Sequence, residues 1–349
     1  MPARPDRQAK ERVVLENLAK HGEPAAAGLS RIIAAERPDM LLIDPMLWGS
    51  ATVAEKSGIP WASLAHNPLM VRGTGLDPRG PGLPPRFGLF GKLRDLVVDM
   101  GLRASLTRSL EIVNALRHSL GLDLLSDFRD RYLTAPLIIA ATAEPFEYPR
   151  TDWPRSVCFV GPLVWEPDEV RPSWINRLDE RPLVVVAGSS IPEYTTSNHW
   201  IHVVFEALAN EPVQVVATLP SEAVPSRVPA NVIVNSFVSH GWLLPRAACV
   251  VCHGGFGVTS KALISGVPVV AIPQALDRFE VARRVAVAGA GVSLSERRLT
   301  PVRVRRAVKR AMASKAGALK VAQAFRAAGG ALVAATAIER QLNTTPTRS

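Results

Sequence analysis

From Leu183 onward, short valine-rich apolar runs alternate with longer segments whose apolar residues recur every three or four positions. The runs LVVVA (183–187), VQVVAT (213–218), NVIVNSF (231–237), Ala248–Cys252 and Val267–Ile272 predict strands, because their length and β-branched content suit the interior of a sheet. Between them, HWIHVVFEALAN and FEVARRVAVAG predict covering helices, and a short helix is expected at WLLPRA. Such alternation is the pattern of a parallel, doubly wound sheet. Thr300 followed by Pro301 marks a further helix start, since a threonine side chain caps free N–H groups and proline suits the first helical position. VAQAFRAAGGALVAATAIERQL then predicts two helices broken at Gly329 and Gly330.

The first half is less regular. Helix GLSRIIAAE, strand DMLLID, helix GSATVAEKSG and strand PWASLAH predict a βαβ arrangement between Asp39 and His66, and PLIIAAT and SVCFVGPL add two strands. The Pro/Gly-rich stretch Asn67–Gly91 breaks all periodicity, as functional or mobile loops do. In the amphipathic segment Leu93–Leu120, Leu96, Val97, Met100 and Leu106 fall to one side. Core packing is expected for them, with cover for an apolar ligand or contact with a membrane surface as the alternative. Prolines 162, 167 and 172 mark a linker. The resulting division is a partial first domain at 1–160, a linker at 161–182, a second domain at 183–330, and a last helix and tail at 331–349.

The chemistry concentrates in VVCHGGFGVTSKALISGVPVVAIPQALDRFEVARR, residues 250–284. The strand ending at Cys252 delivers His253, and Gly254, Gly255 and Gly257 follow within four positions, leading into a helix. Glycine permits the positive-φ turn and close approach that let N–H groups and a helix N-terminus surround a phosphate, with His253 as a further donor. Read alone, the motif also fits a glycine-rich turn whose histidine merely caps the helix. It departs from G-x-G-x-x-G, and no G-K-[ST] follows, so neither a nicotinamide site nor a P-loop is expected. One βα unit later, Asp277 and Arg278 arrive at a strand's carboxyl end, where open α/β sheets bind ligands.

From NVIVNSFVSHGWLLPRAACVVCHGGFG to LTPVRVRRAV, the residues resemble the nucleotide-binding half of family 1 glycosyltransferases of the GT-B fold. The resemblance implies two Rossmann-like domains facing a cleft, with inverting transfer of a sugar, as a hexosyltransferase does, from a UDP- or dTDP-type donor to a hydroxyl of an apolar small molecule or lipid. It implies that the base stacks on Phe237, with Val238 and His240 near base and ribose. The diphosphate would lie on His253, Gly254, Gly255, Phe256 and Gly257, with Gly188, Ser189 and Ser190 beside the phosphates, although Ser189 and Ser190 equally fit an ordinary β-to-α turn. Asp277 and Arg278 would meet the sugar.

Two departures stand out. Val258 replaces the usual hydroxyl residue after the last glycine, which leaves Thr259 or Ser260 to supply that oxygen, and Arg278 replaces the usual glutamine. Arginine shifts the expected donor from plain glucose toward an acidic or otherwise different sugar, or else pairs with Asp277 or Glu280 at the rim. The family's opening strands and catalytic histidine are not found ahead of PDMLLID, so Asp44, which matches the residue orienting that histidine, is expected to lack its partner. His66 reads first as a capping or structural histidine. Little or no transfer is therefore expected, and a non-catalytic paralogue that still binds nucleotide is the alternative reading. A sugar-nucleotide epimerase fits the 273–278 segment less well. No D-x-D occurs, and stabilisation of the diphosphate by a helix terminus and His253 calls for neither metal nor cofactor.

Composition bounds the rest. With 41 Lys and Arg against 31 Asp and Glu, the net charge of +10 suits anionic partners. Aromatics make only 6%, and RVRRAVKR has helical spacing with Val304, Ala307 and Val308 inward, so nucleic acid is not an expected partner. Cys158, Cys249 and Cys252 read as buried thiols of a reducing compartment. Without an apolar leader or a membrane-length apolar run, a cytoplasmic protein is expected, with peripheral membrane contact left open.

Overall fold

The computed structural model describes residues 21–69, 71, 73, 82–86, 88–168, 170–189, 198–274 and 277–344. Helix α1 (Gly22–Glu36), strand β1 (Leu41–Ile43), helix α2 (Trp48–Ser57) and strand β2 (Trp61–Ala65) open the first domain. The long helix α3 (Leu89–Ser119) and strands β3 (Ile138–Ala140) and β4 (Val157–Phe159) complete it. Its four strands are all parallel, in the order β1-β2-β3-β4. Leu41, Ile43, Trp61, Ala65, Ile138 and Ala140 pack on one side with Leu29 and Ala54 of α1 and α2. The fragments of the 67–91 stretch are partly structural, since Leu69 and Val71 lie buried in that core.

Helix α3 departs from the expected core packing. Leu106 and Val113 are buried, but Leu96, Val97 and Met100 are exposed, and with Leu89, Phe90 and Leu93 they form an apolar stripe along its first half.

The second domain comprises strand β5 (Leu183–Ala187), helix α4 (His199–Leu208), strands β6 (Gln214–Thr218) and β7 (Val232–Asn235) and the turn α5 (His240–Leu243). Strand β8 (Ala247–Cys252), helix α6 (Phe256–Ile264), strand β9 (Val269–Ala271), helix α7 (Arg278–Val287), strand β10 (Gly291–Ser293) and helix α8 (Pro301–Ala313) follow. The six strands run parallel in the order β10-β9-β8-β5-β6-β7. The chain thus winds outward from β5 in one direction and from β8 in the other. The gap between their carboxyl ends is the topological switch point, where an open sheet leaves a crevice.

Alternation puts Val185, Ala187, Val250 and Cys252 on one face of this sheet, and Val184, Val186, Cys249 and Val251 on the other. Cys249 and Cys252 therefore lie in different cores, and all three cysteines are free. Burial pushes the Cys249 thiol up to about 12. The Thr300 side chain accepts from Arg303 N, as its N-cap position predicts.

The segment 161–182 is not a slack tether, because Ile175 and Leu178 lie in the core of the second domain. Phe146 of the first domain enters the same core, 5.6 Å from Phe256 and 5.7 Å from Phe325 between ring centroids. Helix α9 (Lys315–Ala327) is followed by α10 (Gly330–Thr344), which returns to the first sheet and seats Ala334, Ala337 and Ile338 against Leu64, Ile139 and Val160. Lys315–Asn343 has the length and apolar composition of a membrane span, which the sequence reading did not anticipate. The left-handed pair Gly329 and Gly330 divides it, and its two halves pack on different domains.

Candidate functional site

The switch point is where the predicted donor residues gather. At the end of β5, Gly188 N donates to Thr218 O (3.0 Å), and Ser189 follows. Ser190 lies outside the described residues. At the end of β8, His253 is buried and its Nδ1 stands 3.5 Å from Ala187 O. Gly254 turns the chain with φ +81, and a Cβ there would come within 3.1 Å of Arg278 O. At Gly255 a Cβ would strike His253 Nε2, so this glycine is what lets the imidazole lie over the helix mouth. Gly257 faces open space on the first turn of α6, whose leading N–H groups have no partners within the helix.

Burial, aided by the nearby Arg278 guanidinium, lowers the His253 pKa from 6.5 to about 4. The imidazole is therefore neutral near pH 7 and serves as a hydrogen-bonding group, while the fixed positive charge of the cradle is that of Arg278. That guanidinium is buried and donates from Nη2 to Ser189 Oγ (3.1 Å), spanning from the start of α7 to the end of β5. Arg278 is thus inside the crevice and not a rim residue.

The His253 shift has a consequence for acid stability. The unfolded chain binds the proton from about 6.5 downward and the folded chain only near 4. This residue's contribution should therefore fall as pH drops through that window and level off below it. His253→Asn is expected to flatten that part of the stability curve, followed by denaturant midpoints. An unchanged curve would show that His253 is not held neutral by burial.

Three side chains predicted at the site point away from it. Phe256 packs on Phe146, and Val238 lies in the same core, so either offers only backbone atoms to a ligand. Thr259 is buried under α6, with Oγ1 3.7 Å from Cys252 Sγ. Ser260 Oγ donates to Gly257 O (3.0 Å). Neither replaces the hydroxyl that Val258 lacks. Val258→Thr should therefore tighten diphosphate binding by about 0.5–1.5 kcal/mol, one neutral hydrogen bond. An unchanged dissociation constant in calorimetry would mean that the oxygen at this position goes unused.

On the other side of the crevice Phe237 is 61% exposed, a free ring face suited to stacking. His240 Nε2 lies 3.3 Å from Thr218 Oγ1, and burial with the Lys261 charge lowers its pKa. Sequence reasoning missed Glu166 of the linker, which accepts from Ser239 Oγ (2.6 Å) and pairs with Lys261 Nζ (2.7 Å). Burial would raise its carboxyl, but these bonds outweigh that and hold it below the usual range.

Facing this group, Asp44 follows β1 and His66 follows β2, adjacent parallel strands whose carboxyl ends share the cleft edge. Asp44 does not lack a histidine, because His66 Nδ1 stands 3.3 Å from its Oδ2. Asp277, at the start of α7, is raised by burial, while Arg278 and His66 act against that shift. Among the described residues, no group of three or more His, Cys, Asp or Glu has the arrangement of a metal site.

A family profile described as "Erythromycin biosynthesis protein CIII-like, C-terminal domain" matches residues 202–337. The 4'-demethylrebeccamycin synthase of Lentzea aerocolonigenes is 36% identical over 299 residues, covering 82% of this chain and 70% of that protein. The chain belongs to the family 1 glycosyltransferases. A PGL/p-HBAD biosynthesis glycosyltransferase of Mycobacterium tuberculosis (strain ATCC 25177 / H37Ra) is 32% identical over 59% of this chain, which spans 47% of that relative. Among solved structures, the glycosyltransferase of kitacinnamycin superposes with a TM-score of 0.73, at 22% identity, over 98% of this chain and 84% of that one. The calicheamicin glycosyltransferase gives 0.72 at 19% identity, over 99% and 84%. These matches give the chain the GT-B fold of the glycosyltransferases.

Proposed function

We propose that this glycosyltransferase transfers a hexosyl group from a uridine or deoxythymidine diphosphate sugar to a hydroxyl of an apolar small molecule, with inversion at the anomeric carbon. The observation that carries the reading is Arg278, buried onto Ser189 beside the His253–Gly254–Gly255 turn. This places a fixed cation, a neutral imidazole and open N–H groups together at the switch point. The negative charge that develops on the leaving diphosphate is met by groups already oriented, so no metal is required by this reading. A likeness to the spinosyn rhamnosyltransferase, solved with thymidine diphosphate and with spinosyn aglycone, supports a nucleotide donor and a small-molecule acceptor. The 61% exposed ring of Phe237 would stack the base, and Asp277 would accept from sugar hydroxyls.

The test is calorimetry of the full chain with uridine diphosphate and deoxythymidine diphosphate, with and without chelator, followed by mass analysis of hydroxylated apolar compounds incubated with the sugar donors. Binding of one nucleotide in chelator and a hexose mass increment are expected. Binding lost in chelator would overturn the metal-free part, and binding without any increment would leave the nucleotide-binding paralogue as the better reading.

A further inference from the structure

We propose that the first half of α3 is a docking surface for a bilayer that carries anionic phospholipid. Leu89, Phe90, Leu93, Leu96, Val97 and Met100 are between 57% and 82% exposed. At about 100° per residue, these six fall within about a third of the helix circumference. The residues that seat α3 on its own domain, Leu106, Ser109, Val113 and Arg117, are buried on the opposite side. That side is held by polar contacts as well. Arg117 meets both carboxylate oxygens of Glu55 (2.7 and 2.8 Å), and the Asn114 side chain exchanges hydrogen bonds with the Leu125 backbone (3.0 and 2.9 Å). The stripe therefore faces outward without any rearrangement of the helix.

The charges around the stripe decide what it fits. Lys92 flanks it on one side and Arg108 on the other, both exposed and in no ion pair among the described residues. The acidic residues of this half, Asp95 and Asp99, lie toward the domain and are engaged there, Asp95 by Arg94 (2.6 Å) and Asp99 by Arg129 (2.6 Å) and Arg103 (2.8 Å). Uncompensated positive charge is what remains beside the apolar residues, on a chain whose net charge is +10. An apolar stripe edged by basic residues is the arrangement of a helix lying in a membrane interface, with apolar side chains among the acyl chains and cations at the headgroups. The long stems of Lys92 and Arg108 let their charged ends reach phosphates while the stripe sinks. A second copy of the chain fits less well, because two such stripes face to face bring the same cations together. An acceptor-lined wall of the cleft fits less well too, since a cleft wall is shaded by the domain opposite and all six side chains stand more than half exposed.

The test is co-sedimentation of the full chain with vesicles of phosphatidylcholine alone and of phosphatidylcholine mixed equally with phosphatidylglycerol, beside sedimentation velocity without lipid. Binding to the anionic vesicles, weakened by salt, is expected. Leu93→Glu with Val97→Glu should lower the partition constant about a hundredfold, because each apolar side chain withdrawn from the interface is worth about a factor of ten. Lys92→Gln with Arg108→Gln should lower it about fivefold per charge on the anionic vesicles alone. All four positions are exposed, and an unchanged denaturant midpoint checks that each variant folds. Vesicle binding is read independently of sugar transfer. No binding of the unaltered chain to the anionic vesicles, equal binding to both kinds, or binding that the glutamates leave intact would each overturn the proposal. A dimer in sedimentation velocity that the glutamates dissolve, without vesicle binding, would give the face to a second copy instead.

Discussion

Arg284→Met is expected to destabilise the folded chain by about 3–5 kcal/mol, the range for a buried ion pair stripped of one partner. The guanidinium is wholly buried, with Nε 3.1 Å from Glu147 Oε2 and Nη1 2.6 Å from Glu280 Oε2. It also lies 4.5 Å above the Tyr148 ring. Burial alone would lower its proton affinity, but Glu147 and Glu280 more than offset that and keep the group charged. Methionine preserves volume and removes the cation. Two carboxylates then remain buried near each other, still bound by Leu69 N (3.2 Å) and Gly82 N (2.8 Å). Denaturant titration measures the loss, and Glu147→Gln added to Arg284→Met should recover part of it by removing one stranded charge. A loss below about 1 kcal/mol, the level of solvated pairs, would show that water reaches the cluster.

Arg278→Gln should weaken diphosphate binding by about 1.5–3 kcal/mol, tenfold or more, because it removes a charge-assisted donor from a buried position. Arg278→Lys should restore part of this, since an ammonium supplies charge without the planar fork that also holds Ser189. Thymidine, which has no phosphate, should bind each variant alike. Calorimetry on both ligands separates the possibilities. Equal losses for nucleoside and diphosphate would mean that Arg278 acts by holding the start of α7 to the end of β5.

The strand and helix order of the second domain was legible because every strand is a short apolar run bounded by glycine, proline or polar residues, and the phosphate turn announces itself through its glycines. What the pattern did not carry was side-chain direction. Thr259 and Phe256 lie in the right motif yet face the interior, since a helix seated on its sheet turns those positions toward the core. The Asp44–His66 pair went unread because the two residues are joined only by strand adjacency, with 21 positions between them. In the charge cluster, Glu280 and Arg284 are four apart on α7 and were open to inspection, whereas Glu147 comes from the other domain with no periodic signal. The stripe on α3 misled for the opposite reason: its spacing is amphipathic, but Leu96, Val97 and Met100 meet no partner surface among the described residues.

Helix α7 presents Arg278 to Ser189 at its first turn and anchors the first domain through Arg284 less than two turns later. Arg283 Nε, bound to Gly82 O at 2.8 Å, and Glu280, bound to Gly82 N, add a second grip on that domain. These contacts fasten the helix to both domains. The residue that reaches Ser189 and the residues that grip the first domain are thus carried by one continuous helix. The ordering of the protein's own groups along α7 is settled once, during folding, and only the substrates lose orientational freedom with each turnover.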